Sequence, residues 1–255
     1  MTYGLWLSAA GLQVNDYRQS VLANNLANVD TVGFKHDLVV IRERLVESRA
    51  RAANGRFAHP ILNDLTGGAW VRPTITTHEQ GDLDRTDAPL DLAIQGEGYF
   101  AVSNGSETRY TRDGRLTLNA AGELVLSAAQ GRWHVLDTSG QPIRLEVESA
   151  SEINISGDGT VRQRGGEIGR IGLVEFADRS SLSKIGRNLY QNHGGPPSPS
   201  DSQIKSGFVE RSTADPIRGL TQMIEASRAY QINANLISLQ DQTIGQAVGR
   251  VGRIG

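Results

Sequence analysis

The sequence predicts an α+β protein. N- and C-terminal helices pair as a coiled-coil-like stalk, and an antiparallel all-β domain fills the middle. Three observations predict it. Apolar residues recur at helical spacing before Lys35 and again after Asp215. Between these stretches, short alternating runs of strand type are separated by glycine-containing turns. The composition is 38% hydrophobic and 5% aromatic, with 29 Gly against 8 Pro in 255 residues, which fits a modest core with many turns. The expected divisions are an N-terminal helix over 1–35, a connector with a short helix and an irregular loop over 36–74, a β domain over 75–206, and a C-terminal helix over 207–255 that packs on 1–35.

Residues 3–29 read as helix. Leu5, Ala9, Leu12, Leu22, Leu26 and Val29 share one stripe, with Gln19 as a polar gap. Val14, Tyr17 and Val21 form a second stripe beside it. Two stripes require more than one neighbour. The helix runs into Ala23-Asn24-Asn25-Leu26-Ala27-Asn28-Val29-Asp30-Thr31-Val32-Gly33-Phe34-Lys35. Asparagines there can receive or bond the last backbone groups of a helix, Gly33 tolerates positive φ, and Phe34 anchors the emerging chain. After it, Leu38, Ile41 and Leu45 sit at helical spacing and predict a short second helix ending near Asn54-Gly55. His59-Pro60, Gly67-Gly68 and Pro73 mark an irregular connector.

From Val71 the period changes to that of strands. Leu90–Ile94 and Tyr99–Val102 are examples, and Asp113-Gly114 between Tyr110–Arg112 and Arg115–Leu118 reads as a type I′ hairpin. About ten such runs at roughly ten-residue spacing predict an antiparallel sandwich or barrel-like domain. Asn192–Ser202 is rich in Gly, Pro and Ser and reads as the loop leaving it.

Helix returns at Asp215-Pro216, an N-cap followed by proline at the first helical position. Met223, Tyr230, Ile237, Ile244 and Val251 then recur every seven residues, the pattern of a helix supercoiled with others. Leu220, Ala234 and Val248 mark a neighbouring seam, interrupted by Ser227 and Asp241. The expected contact sets Leu5, Leu12, Leu22 and Leu26 against Met223, Tyr230, Ile237 and Ile244.

No catalytic, cofactor-binding or metal-ligating constellation emerges. The five histidines (36, 59, 78, 134 and 193) are scattered, without a helical pair at ligand spacing. Asp82, Asp84 and Asp87 lack the glycine and terminal Glu of a calcium loop. Gly96-Glu97-Gly98 runs on as a strand and fails the context of a phosphate turn. There is no cysteine, hence no disulfide. A net charge of −2 gives no reason to expect nucleic acid, and no run nears the ~20 apolar residues of a membrane span. The apolar start lacks a basic n-region, so a cleaved signal peptide is not expected. Charge is uneven. From Lys35 to Arg56 there are six basic residues against three acidic, and from His78 to Glu97 six acidic against one basic, a pair of surfaces expected to meet between neighbouring molecules.

The motif residues Asn24, Asn25, Leu26, Ala27, Asn28, Gly33 and Phe34, closed by Lys35, resemble the N-terminal signature of the rod and hook family of bacterial flagellar axial proteins. Pro89–Phe100 is similar to the run opening that family's β domain, Tyr110–Gly114 to its hairpin motif, and Ile155–Thr160 to its Asp-Gly-Thr turn. Gly207 through Ser212 to Tyr230–Ala234 resembles its C-terminal signature, with Ser212-Thr213-Ala214-Asp215 in place of the usual Ser-Asn-Val-Asn. The resemblance covers most of the chain. It implies a structural subunit of the basal-body rod, not an enzyme, needing no cofactor and polymerising through its terminal helices into the shaft that transmits torque. It implies partners: copies of itself, other rod and hook subunits, and the flagellar type III export apparatus. It places the chain in the periplasmic rod. Gly166–Ile171 followed by Ala177-Asp178 looks more like the proximal rod type, whereas Gly4-Leu5-Trp6 and the connector look distal. The alternative is an extracytoplasmic β-sandwich module binding cell-wall carbohydrate, which would need an exposed aromatic platform from Trp6, Trp70 or Trp133.

Overall fold

The computed structural model describes residues 2–44, 68–129, 131–146 and 153–251. The chain forms two compact units, one of 1–27, 37–75 and 215–255, the other of 28–36 and 76–214. Both are discontinuous in sequence.

The first unit holds two long helices, α1 (Thr2–Ala27) and α2 (Pro216–Val251). They pack on each other, and the pairing is antiparallel. Gly4 abuts Gln240, Gly11 abuts Asn233, and Arg18 lies 4.0 Å from Glu225, so numbers fall on α2 as they rise on α1. The start of α2 is fixed by Asp215, whose Oδ1 accepts from the amides of Ile217 (2.9 Å) and Arg218 (3.0 Å). That satisfies donors which have no partner inside the helix. The helix continues through Gly245 and Gly249.

The short helix expected after Lys35 is instead a strand. β1 (Asp37–Glu43) pairs with β2 (Ala69–Thr76) in a two-stranded ribbon. Leu38 and Ile41 fit helical spacing, but Val39, Val40 and Ile41 are β-branched and resist the helix. The remainder of that expectation, including Leu45 and Asn54-Gly55, lies outside the described residues. The ribbon packs against α1 through β1.

The second unit is antiparallel β. Among the described residues its largest sheet runs in the order Leu182–Lys184, Leu189–Asn192, Thr108–Thr111, Tyr99–Ser103, His134–Val135, Leu124–Leu126, Leu116–Leu118, with Leu173–Glu175 also pairing Tyr99–Ser103. Ile153–Ile155, Thr160–Gln163 and Gly166–Arg170 form a three-stranded sheet. Two pairs complete the set, Leu92–Gln95 with Gln203–Ser206, and Leu83–Arg85 with Phe208–Glu210. Leu92, Phe100, Val102, Leu124, Val135 and Val161 are completely buried in the main core. A second cluster is aromatic, with Tyr110 and Phe176 edge-to-face at 4.8 Å.

One turn differs from expectation. The strands on either side of Asp113-Gly114 do not pair with each other; Leu116–Leu118 forms its hairpin with Leu124–Leu126 through Gly122. Gly114 is not in the positive-φ region. It serves close approach instead, because a Cβ there would lie 1.6 Å from the Leu92 carbonyl oxygen. A glycine chosen for space and one chosen for φ look alike in sequence.

Candidate assembly surface

Along α2 one series of residues that are not exposed follows spacings of four and three: Gly219, Met223, Ala226, Asn233, Ile237, Gln240, Ile244 and Ala247, with Gln222, Ser227, Ala229 and Ala234 half-buried beside it. Tyr230 belongs to the same series but is 38% exposed. The expected members Met223, Ile237 and Ile244 are thus half-buried. Their companions are small or polar, with Ala226 wholly buried. The neighbouring seam expected at Leu220, Ala234 and Val248 is not the packed one, for Leu220 and Val248 are more than half exposed. On α1, Leu22 is buried and Leu5, Leu12 and Leu26 are half-buried. Ser8, Val14 and Asn25 are as deep as Leu22. Glycine at Gly4 and Gly11 lets α2 side chains reach the α1 backbone. Residue types chosen for smallness carry no hydrophobic signal, so a search for apolar stripes passes over them.

The second stripe of α1 has a neighbour within its own unit. Val14 and Tyr17 line a groove of about 760 Å³ with Trp6 of α1 and with Trp70, Val71 and Pro73 of β2. Trp6 and Trp70 are exposed, and the Arg44 guanidinium lies 5.9 and 5.2 Å from their ring centres. Trp133 packs against the β core. On the outer side of α2 a run of large apolar side chains is left open, with Ile217, Leu220, Ile224, Ile232, Leu236 and Leu239 exposed.

The motif divides between the two units. Asn25 is buried, and its side-chain amide makes a two-way pair with the backbone of Asp37, giving Nδ2 to the carbonyl (2.8 Å) and accepting from the amide (2.9 Å). Asn24 and Ala27 are exposed, while Leu26 and Asn28 are half-buried. The Asn28 carbonyl accepts from Thr31, and Gly33 follows at φ 68°. Gly33, Phe34 and Lys35 are buried inside the β unit. The Lys184 ammonium lies 4.2 Å from the centre of the Phe34 ring.

Lys35 therefore leaves the expected basic surface. Its Nζ meets Glu210 Oε1 at 2.5 Å and also donates to the Glu79 carbonyl. Arg42 and Arg44 are exposed on the ribbon, and Arg49, Arg51 and Arg56 lie outside the described residues. Burial lowers the Lys35 pKa against the pull of Glu210. Burial, with Arg179, Lys35, Lys184 and Arg112 nearby, pushes His78 down to about 4. Burial raises Tyr99 to about 12, opposed by Arg112 and Arg179. His78 Nδ1 and Tyr99 OH are 2.7 Å apart. These charges sit within the fold rather than around a cleft. Among the described residues no group of three or more His, Cys, Asp or Glu is arranged to hold a metal, and no helix is long and apolar enough to cross a membrane.

Three family profiles match the chain: "Flagella basal body rod protein" over 8–35, "Flagellar hook protein FlgE/F/G D1 domain" over 93–163, and "Flagellar basal body rod FlgEFG protein C-terminal" over 205–250. The flagellar basal-body rod protein FlgG of Buchnera aphidicola subsp. Acyrthosiphon pisum (strain APS) is 32% identical over 96% of this chain and 98% of its own. This chain belongs to the flagellar basal-body rod protein family. The FlgG of Bacillus subtilis (strain 168) is also 32% identical, over 97% of this chain and 98% of its own. The FlgF of Caulobacter vibrioides is 35% identical over 92% and 91%. A rod protein is a structural subunit of the flagellar basal body and not an enzyme, which agrees with the resemblance read from the motifs. Relatives of both names match at similar identity, so identity does not divide the two rod types.

Proposed function

We propose that this rod subunit polymerises through α1 and α2, and that the outer face of α2 receives a neighbouring subunit. One observation carries the reading. The seam of α2 is taken up by α1, yet the opposite face is still apolar, with Ile217 80% and Ile232 60% exposed. A helix that is apolar on both sides fits one with two neighbours. The spacing of four and three along α2 supports a supercoiled, stalk-like pairing with α1. The partners in this reading are further copies and other rod and hook subunits, reached after passage through the flagellar type III export apparatus. Such a polymer would transmit torque. The proximal type is slightly preferred over the distal, on Gly166–Ile171 with Ala177-Asp178 and on Asp178–Leu182, which stands where the distal type usually has an Asn-Pro turn.

The test is to concentrate the purified protein beside Ile224→Asp and Leu239→Asp, and to follow polymer formation by electron microscopy and sedimentation. Both side chains are exposed, so the variants should melt as the parent does. The parent should form helical polymers and the variants should not, because a carboxylate would be forced into an apolar contact. Variants that polymerise as readily as the parent would remove α2's outer face from the contact.

A further inference from the structure

The rod-subunit reading leaves unused the charges buried in the β unit. Lys35 is 0% exposed, Glu210 1% and Arg112 2%. Glu210 Oε1 accepts from Lys35 Nζ at 2.5 Å and from the Gly81 amide at 2.8 Å, while Oε2 accepts from Arg112 Nη1 at 3.3 Å. Two cations thus share one buried carboxylate. Such a cluster adds little over apolar packing while whole, but the loss of one member leaves an uncompensated buried charge.

Its place in the chain gives it a role. Three stretches connect the β unit to the rest of the molecule: 28–36, the entry at Thr76 and Thr77, and the exit at 210–214. The first is bonded to each of the other two. The Gly33 amide donates to the Glu210 carbonyl (2.7 Å), the Thr213 amide to the Phe34 carbonyl (3.0 Å), and the Thr77 amide to the His36 carbonyl (3.0 Å). The His36 amide donates to Thr213 Oγ1 (3.0 Å). Lys35 reaches beyond Glu210 to the Glu79 carbonyl, tying the second connection to the first. Gly33 is required at the crossing, since a Cβ there would lie 2.5 Å from the Arg112 backbone.

We propose that 28–36 is a strap locked by Lys35 on Glu210, which closes only once Phe208–Glu210 is paired in its sheet. The two residues are 175 positions apart. Before that strand is in place, Lys35 has no buried counter-charge, and closing the strap would bury it unpaired. Afterwards one step orders all three connections. The end of the motif, Gly33-Phe34-Lys35, is spent inside its own molecule and is a closing device rather than a subunit contact.

The experiment is residue-resolved amide exchange of the full chain at constant pH. The amides of Gly33, Thr77 and Thr213 should show one common protection factor, within about threefold. Glu210→Gln should lower all three by about a hundredfold or more, the loss expected when a buried pair is broken. The Leu124 amide, in the main core, should keep its protection. Adding Lys35→Met to Glu210→Gln should restore at least about tenfold, because one unpaired buried cation is removed. If Glu210→Gln is insoluble, Thr213→Val reads the same coupling, and should expose Thr77 and Gly33 together. Three amides that exchange independently, a double variant no better than the single one, or a loss spread evenly over the β unit would each overturn the proposal. Polymerisation is not read, so the result is independent of the assembly reading.

Discussion

Asn233 occupies the space that a side chain on Gly11 would need. A Cβ built on that glycine lies 2.8 Å from Asn233 Oδ1, and one heptad away Gly4 stands in the same relation to Gln240. Gly11→Leu should therefore force α1 and α2 apart and cost about 1–3 kcal/mol. Gly245 meets nothing within 4 Å, so Gly245→Ala should stabilise by roughly 0.5–1 kcal/mol through helix propensity alone. Thermal melting followed at 222 nm compares the two. A Gly11→Leu protein at least as stable as the parent would contradict the close approach.

Gly114→Ala should be among the most damaging single changes in the β unit. Its Cβ has no room against the Leu92 carbonyl, and Leu92 also donates to the Gly114 carbonyl at 2.9 Å. Relief would require backbone movement in the middle of the core, at a cost of about 3 kcal/mol or more. Gly169→Ala, with open space around it, is the control and should be close to neutral. Urea midpoints of the two variants decide the point.

His78 makes the β unit sensitive to mild acid. Its folded pKa is about 4, against about 6.5 for a free imidazole. Between those values the unfolded chain holds a proton that the folded chain lacks. Stability is therefore complete above pH 6.5, falls as pH drops toward 4, and loses nothing further from this group below that. The loss is on the order of 1–2 kcal/mol after solvent screening of a half-buried ring. Urea midpoints between pH 7.5 and 4.5 should slope for the parent and flatten for His78→Gln. Parallel curves would remove His78 as the cause.

In the free subunit, limited proteolysis should cut within 2–27 and 216–251 while the β unit, 28–36 and 76–214, resists. The outer face of α2 lies open to water, and helices hold poorly without packing. Assembly should protect both helices. A monomer whose helices resist protease as well as the β unit would oppose this.

The long helices were legible because a seven-residue period survives even where about half of its positions on α2 are glycine, alanine, asparagine or glutamine. The all-β middle was legible from its turns. The partners of each strand were not, since pairing across a hundred residues leaves no local trace. Lys35 and Glu210 show the limit most clearly. Each reads as an ordinary surface charge, and only their meeting makes them buried. The ribbon was hidden for a different reason: Leu38 and Ile41 satisfy two periods at once, and a short stretch cannot choose between them.

The strap also sets where the chain can be divided. A fragment cut at Thr76 by following strand content would keep Glu210 and Arg112 but discard Lys35, together with the backbone partners of Glu210 and Thr213. The smallest piece able to close on itself has two non-contiguous parts, 28–36 and 76–214. A circular permutant that joins Ala214 directly to Asn28 and opens the chain between His36 and Thr76 would carry that piece as one continuous sequence.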